Sequence, residues 1–146
     1  MRILASLMLL LAATLGAYDD RPPCYKQLER DFFHYPIVAE AFSNLRVPQG
    51  QWDPIFKLLV NRQTQLESII EQKAHARHPD PLQHPFQSDV AADLLHETAF
   101  QIFERCLLEG GFYDTVSIRT MFDYIWTHEP RVAECVVSHS TEGPVR

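Results

Sequence analysis

The segment DPIFKLLVNRQTQLESIIEQKAHA, residues 53–76, decides the fold. Asp53 is a typical helix N-cap, and Pro54 suits the first helical position because its fixed φ matches the helix. Apolar residues then recur at intervals of three and four along one face: Ile55, Leu59, Leu66, Ile69 and Ile70. Polar side chains fall mostly on the other side. The pattern predicts an amphipathic helix that ends near Ala76 and is roughly 35 Å long, at 1.5 Å per residue.

Two more helices are predicted downstream of this one. Residues 78–88 contain three closely spaced prolines, which predict a loop. Ser88 is the expected cap of the next helix, and Gly110-Gly111 is its expected end. Asp114 or Thr115 is expected to cap a further helix. Pro130 would end that helix or begin a last short turn that contains Val132, Cys135 and Val136.

The stretch before the deciding segment, from Cys24 to Leu45, is also helical in pattern. Its apolar side chains recur at helical spacing at Tyr25, Leu28, Phe32 and Tyr35. Pro36 interrupts this stripe because proline lacks the N–H that the helix ladder needs. The pattern is satisfied by one helix kinked at Pro36 or by two short helices.

These segments together predict an all-α fold, because no stretch shows the period-two alternation of a half-buried strand. Four main helices joined by mostly short connections favour a small antiparallel bundle, with the first helix kinked at Pro36 and a short fifth helix optional. Residues 18–146 would form a single domain with a frayed tail from about residue 138. Phe33 and Tyr124 lie off the apolar stripes and are expected at the surface.

Residues 1–17 have the features of a cleavable signal peptide. Arg2 supplies a positive charge, and an almost unbroken apolar run follows from Ile3 to Leu15. This run has 13 residues, whereas a membrane-spanning helix needs roughly 20. The small residues Gly16 and Ala17 suit a signal peptidase. We therefore expect a secreted protein, extracellular or periplasmic, that is not embedded in a membrane after cleavage.

The charge of the mature chain excludes two classes of partner. With the leader removed, 12 basic residues face 19 acidic ones, which gives a net charge of −7. Nucleic-acid binding depends largely on basic surface, so a nucleic-acid partner is not expected. The same imbalance argues against electrostatic attachment to anionic membranes.

The three cysteines of this exported chain predict one disulfide and one free thiol. In an antiparallel four-helix bundle, Cys24 begins the first helix and Cys135 follows the end of the last, so both lie at the same end. Cys106 would lie at the other end, too far away for the Cα separation of about 7 Å that a disulfide allows. The favoured pair is Cys24–Cys135, with Cys106 a buried free thiol. If the tail folds back along the bundle, Cys106–Cys135 is the alternative.

Histidine supplies the only chemically suggestive cluster in the sequence. His75 and His78 are three residues apart on a helix end, and His84 follows in the proline-rich loop. With Asp80 they offer the types of ligand that zinc prefers, but this spacing does not specify a site. A polar helix end, where histidine complements the helix dipole, is the favoured explanation of the cluster. His96-Glu97 resembles the start of the metalloprotease motif, but Phe100 replaces the second histidine, so that motif is absent.

The sequence favours a non-enzymatic binding or interaction protein, with no cofactor, because catalytic motifs are not found. Its partner would be another protein or a second copy of the chain in a homodimer. One alternative is a carrier that holds a small apolar ligand in the bundle interior, since aromatic residues are plentiful. The other is a metal-dependent enzyme that uses His75, His78 and His84.

Overall fold

The computed structural model describes residues 21–77 and 88–137. The predicted leader, the proline-rich loop and the tail from residue 138 lie outside these ranges. Within them the chain is helical, and no strand occurs. The elements in chain order are α1 (Pro23–Arg30), α2 (Tyr35–Asn44), α3 (Gln49–Gln63), α4 (Leu66–Arg77), α5 (Ser88–Glu109), α6 (Thr115–His128) and a π-helix (Val132–Val137). The all-α prediction is confirmed.

The first predicted helix is two helices, and the break comes before Pro36. Pro36 lies in the first turn of α2, where its missing N–H costs no helix hydrogen bond. The non-helical backbone between α1 and α2 is satisfied by distant side chains. Gln63 Oε1 accepts from the Phe33 N–H at 2.9 Å, and Arg131 donates to the Asp31 and Phe32 carbonyls. The kink predicted at Pro36 is therefore wrong, whereas the alternative of two short helices is confirmed, with the break at residues 31–34.

The deciding segment also differs from its prediction at both ends. Its first helix, α3, begins at Gln49 after the extended Pro48, so Asp53 lies inside the helix rather than at its N-cap. Pro54 is also inside, where it removes only the hydrogen bond to the Gly50 carbonyl. Helix α3 therefore begins about one turn before Asp53-Pro54, the residues that the sequence marks as the helix start.

A break at Thr64 and Gln65 divides the same segment into α3 and α4. The Thr64 hydroxyl donates to the Asn61 carbonyl at 2.8 Å, and the Gln65 N–H donates to the Arg62 carbonyl at 3.0 Å. Such local bonds compete with the regular i to i−4 ladder, which resumes when Ile69 N–H donates to Gln65. The predicted helix of some 23 residues is therefore two helices joined by a tight turn.

The last three elements agree closely with their sequence signals. Helix α5 ends at Glu109, and the next residues are Gly110 and Gly111, of which Gly111 has a φ of 93° that favours glycine. Asp114 is the N-cap of α6, and its carboxylate accepts from the Ser117 N–H at 3.1 Å. The predicted short terminal element is the π-helix.

Helix α5 lies at the centre and packs against α3, α4 and α6. The α3–α4 segment runs antiparallel to it: Ile55 of α3 lies against Gly110, while Lys73 in α4 bonds to Thr98 and Gln101. Helix α6 also runs antiparallel to α5. These pairings bury a continuous core, although the structure builds it from six α-helices where the sequence predicted four.

Aromatic rings fill the middle of this core. Phe103 of α5 has its ring centroid 5.9 Å from that of Phe33, 6.5 Å from that of Phe42 and 5.8 Å from that of Phe122. Phe33 is 2% exposed, so its expected surface position is wrong: the turn before α2 directs its ring into the core. Tyr124, the other expected surface aromatic, is half-buried.

A buried ionic cluster attaches α1 to α4. The Arg21 side chain is 1% exposed, and its guanidinium contacts Glu29 at 3.1 Å, Glu67 at 3.2 Å and Glu71 at 2.9 Å. Arg30 also contacts Glu67, at 3.1 Å. A buried charge is costly unless it is paired and hydrogen-bonded. The cluster therefore fixes where the N-terminal helix can dock.

The two ends of the described chain meet at a second set of contacts. Cys24 and Cys135 lie at disulfide distance, with their Cα atoms 5.9 Å apart. Arg131 contacts Glu129 at 2.7 Å and also pairs with Asp31. Cys106 is unpaired and buried. Among the helices of the described ranges, none is both long and apolar enough to span a membrane.

Non-reducing peptide mapping of the purified protein should recover Cys24 joined to Cys135, with Cys106 as a free thiol. Replacing both paired cysteines with serine should lower the free energy of unfolding by about 4–5 kcal/mol, the chain-entropy value for a loop of over 100 residues. Urea titration measures this change. Cys106→Ala is the matched control and should keep the cross-link, whereas a Cys106–Cys135 peptide would contradict the pairing.

Candidate functional site

An open groove of about 830 Å³ lies between α5 and the junction of α3 with α4. The tight turn at Thr64 and Gln65 is part of this junction, so the groove lies where the long predicted helix is broken. Helix α5 supplies the opposite wall with one continuous face. The lining residues are Arg62, Gln65, Ile69, Thr98, Gln101, Ile102, Glu104, Arg105, Leu108 and Glu109.

The lining of the groove combines an apolar strip with charged and amide side chains. Ile69 and Leu108 are half-buried, and Ile102 is nearly buried, so an occupant would contact three aliphatic side chains. The other seven lining residues are polar or charged. Sites for apolar small molecules are lined mainly by apolar and aromatic groups. This groove instead has three aliphatic side chains among seven polar or charged ones.

The charged residues of the groove connect its two walls. Arg62, in the last turn of α3, pairs with Glu109 at the end of α5. Arg105 and Glu104 lie one turn earlier on α5, and Arg105 is exposed. Arginine is enriched at protein interfaces because its planar group donates several hydrogen bonds and stacks on flat surfaces. The groove thus presents both signs of charge beside an aliphatic strip.

Lys73 fixes α4 against α5 beyond the groove. Its ammonium donates to Thr98 Oγ1 at 3.1 Å and to Gln101 Oε1 at 3.0 Å. Both acceptors also line the groove, and Thr98 is buried. Two hydrogen bonds from one cation hold these side chains in place. This part of the groove wall is therefore held by hydrogen bonds within the chain itself.

The predicted free thiol, Cys106, is fully buried on α5 beside the groove residues. Burial raises the pKa of the Cys106 thiol to about 11, because the thiolate would lose its hydration. Arg62 and Arg105 lower this pKa and Glu109 raises it, but burial has the largest effect. At neutral pH the side chain is a protonated thiol. It packs as a small apolar group and is a poor nucleophile.

The histidine cluster is only partly within the described residues. His75 is half-buried on α4, while His78, His84 and Asp80 lie outside the described ranges. Within those ranges, no group of three or more histidine, cysteine or carboxylate side chains is arranged to hold a metal ion. The metal-dependent alternative therefore has no support from the part of the cluster that can be located.

A second polar arrangement joins α2 to α6. The Tyr124 hydroxyl donates to the Glu40 carboxylate, and this hydrogen bond raises the pKa of Tyr124. The His128 ring stacks on the Tyr124 ring, with centroids 4.1 Å apart. A tyrosine whose pKa is raised stays protonated at neutral pH and cannot act as a general base. These contacts attach α2 to α6.

Sequence reasoning missed the groove because it treated residues 53–76 as one unbroken helix and assigned Ile69 to its apolar core face. A signal was nevertheless present. Arg62, Gln65 and Ile69 are spaced by three and four residues, and so are Ile102, Arg105 and Glu109. This spacing predicts one helical face for each set, but Arg62, Gln65 and Ile69 span the α3–α4 turn, and only the packing of α5 against that turn brings the two sets together. Comparisons with protein-family models, curated proteins and solved structures give no match for this chain.

The raised pKa of Cys106 predicts a specific loss of stability at alkaline pH. The native thiol stays protonated up to about pH 11, whereas in the unfolded chain it ionises near its ordinary value of 9.0. Between these pH values the native state therefore binds more protons than the unfolded chain. The contribution of Cys106 to the free energy of unfolding is complete below pH 9 and is lost as the pH rises toward 11. Urea titration should show that the free energy of unfolding of the natural chain approaches that of Cys106→Ala as the pH rises from 9 to 11. A difference that stays constant up to pH 11 would contradict the assignment.

Proposed function

We propose that this chain is an exported, non-enzymatic binding protein and that the groove between α5 and the α3–α4 junction takes a polypeptide segment of its partner. The observation that carries the proposal is the lining of the groove. Three aliphatic side chains lie beside two arginines and two glutamates. Such a lining matches a segment that presents both apolar and charged side chains, as an amphipathic helix does.

The packing of the interior favours this function over the carrier of an apolar ligand. Five phenylalanines occupy the centre of the core, and each is at most 2% exposed. Their centroids lie 5.0 to 6.5 Å apart, which is the ordinary separation of packed rings. The rings are thus in contact with one another. The aromatic residues that suggested a ligand cavity are accounted for by core packing.

Export is proposed on two sequence features and one structural one. The apolar run from Ile3 to Leu15 and the small residues Gly16 and Ala17 fit a leader that is removed. The structure adds the Cys24 and Cys135 pair at disulfide distance. Disulfides form and persist mainly in oxidising compartments outside the cytoplasm. A secreted protein, extracellular or periplasmic, satisfies all three observations.

The groove is tested by reversing one of its charges. The chain, immobilised as bait, is exposed to the extracellular fraction of its source organism, and proteins retained at stoichiometric yield are quantified by mass spectrometry. Arg105→Glu should reduce retention of the partner about tenfold or more, the usual effect of losing an interface arginine. Lys57→Glu, at an exposed site on α3 outside the groove, makes the same charge change and should retain it fully.

Native mass spectrometry of the same preparations tests the alternatives to this proposal. A retained organic molecule of constant mass would replace the binding function with that of a carrier, and bound zinc would favour the metal-dependent enzyme. A homodimer dissociated by Arg105→Glu would place a second copy in the groove. Equal retention of the partner by Arg105→Glu and Lys57→Glu would show that the groove is not the binding site.

Export is tested by expressing the chain with its own leader. We expect intact-mass measurement to find a soluble species that begins near Tyr18, because the apolar run is too short to remain as an anchor. The expected fraction is periplasm or medium, according to the host. A membrane-bound species that retains Met1 would overturn the proposal of a cleaved leader.

A further inference from the structure

A half-exposed aromatic surface lies on the side of α5 that faces α6, away from the groove. His96 of α5 meets Trp126 of α6 edge to face, with ring centroids 4.7 Å apart. It also meets the buried Phe122 ring at 5.2 Å. His96, Trp126 and Phe100 are each half-exposed. Three rings therefore reach solvent from a rigid base of packed rings.

Two carboxylates flank these rings. Asp93 precedes His96 by about one turn of α5, and Asp123 lies one turn before Trp126 on α6; both are exposed. Burial has the largest effect on the pKa of His96 and lowers it; Asp123 and Asp93 act to raise this pKa, and the Arg119 cation acts to lower it. In the described ranges, neither carboxylate forms a hydrogen bond or an ion pair. We call Asp93, His96, Phe100, Asp123 and Trp126 the acidic aromatic face.

One cation of the protein, the Arg119 guanidinium, already lies on the acidic aromatic face. The Arg119 guanidinium lies over the Phe100 ring, with its central carbon 3.9 Å from the ring centroid. This is a cation–π contact, in which the negative face of the ring attracts the charge. One helical turn away, no cation of the described residues covers the rings of Trp126 and His96. The part of the face formed by Trp126 and His96 has the ring that binds cations better, Trp126, and the two carboxylates flank it.

We propose that the acidic aromatic face docks a basic segment of a partner polypeptide, with a lysine or arginine side chain placed against Trp126 between Asp93 and Asp123. The argument is charge complementarity on an aromatic surface. A cation there gains attraction both from the ring and from two carboxylates that form no hydrogen bond or ion pair in the described ranges. The site is separate from the groove, since its residues lie on another side of α5.

The charge of the whole chain supports a basic polypeptide over other occupants. The mature chain carries 12 basic and 19 acidic residues, so it attracts cationic partners and accelerates their association. A second copy of the same chain would bring its own carboxylates against this face and be repelled. Anionic surfaces, such as nucleic acids and acidic membranes, are repelled in the same way.

The test measures binding of a fluorescein-labelled hexa-arginine peptide by fluorescence anisotropy at low ionic strength. Asp93→Asn and Asp123→Asn should each weaken binding about fivefold, the range expected for one exposed ion pair, and Trp126→Leu should weaken it by a similar factor. Asp53→Asn is the matched control, because it removes one exposed carboxylate from α3. It should leave the dissociation constant within about twofold of the natural value.

Three outcomes would overturn the proposal. The first is equal weakening by Asp53→Asn, Asp93→Asn and Asp123→Asn, which would show diffuse attraction to an acidic protein. The second is equally tight binding of tetramethylammonium, which would indicate a site for small cations. The third is a dimer that Trp126→Leu dissociates, which would indicate self-association. Arg105→Glu should not change peptide binding, so failure of the groove and failure of this face are distinguishable.

Discussion

The packing of Phe103 is the interaction on which the rest of the structure depends. This buried ring on α5 contacts rings from the turn before α2, from α2 itself and from α6. Aromatic residues bury more area than other side chains, so one shared contact of this kind positions several short helices at once. Short helices have little stability alone, and the aromatic centre compensates for this. The groove and the acidic aromatic face are both outer sides of the helix that Phe103 holds in place.

The fold class could be predicted from sequence because hydrophobic spacing, caps and glycine stops are local signals. Asp114 and Gly110-Gly111 act where their chemistry indicates. The position of the first helix break, at residues 31–34, could not be predicted, since it depends on partners distant in sequence. The turn at residues 31–34 is stable because Gln63 and Arg131 satisfy its backbone. Phe33 is buried for the same reason: only the tertiary turn decides which way its ring points.

The candidate sites were harder to predict than the fold because each is formed by two helices. Arg105 on its own is an exposed arginine on a polar helix face, and Trp126 on its own is a large residue near a core stripe. Their significance arises when α5 packs against α4 on one side and α6 on the other. The chemical signal that the sequence did offer, His75 with His78 and His84, is a local cluster. Local clusters are conspicuous in a sequence, whereas surfaces built across helices are not.

The meeting of the two chain ends has a consequence for how the protein is made. A ribosome releases Cys24 long before Cys135, with 111 residues of separation between them. Helix α1 has eight residues, too few to be stable alone in water. Its packing partners include α4 and the π-helix, the last element described. Helix α1 can therefore dock completely only after residues 132–137 have been synthesised, so the first helix of the described chain is among the last to reach its final packing.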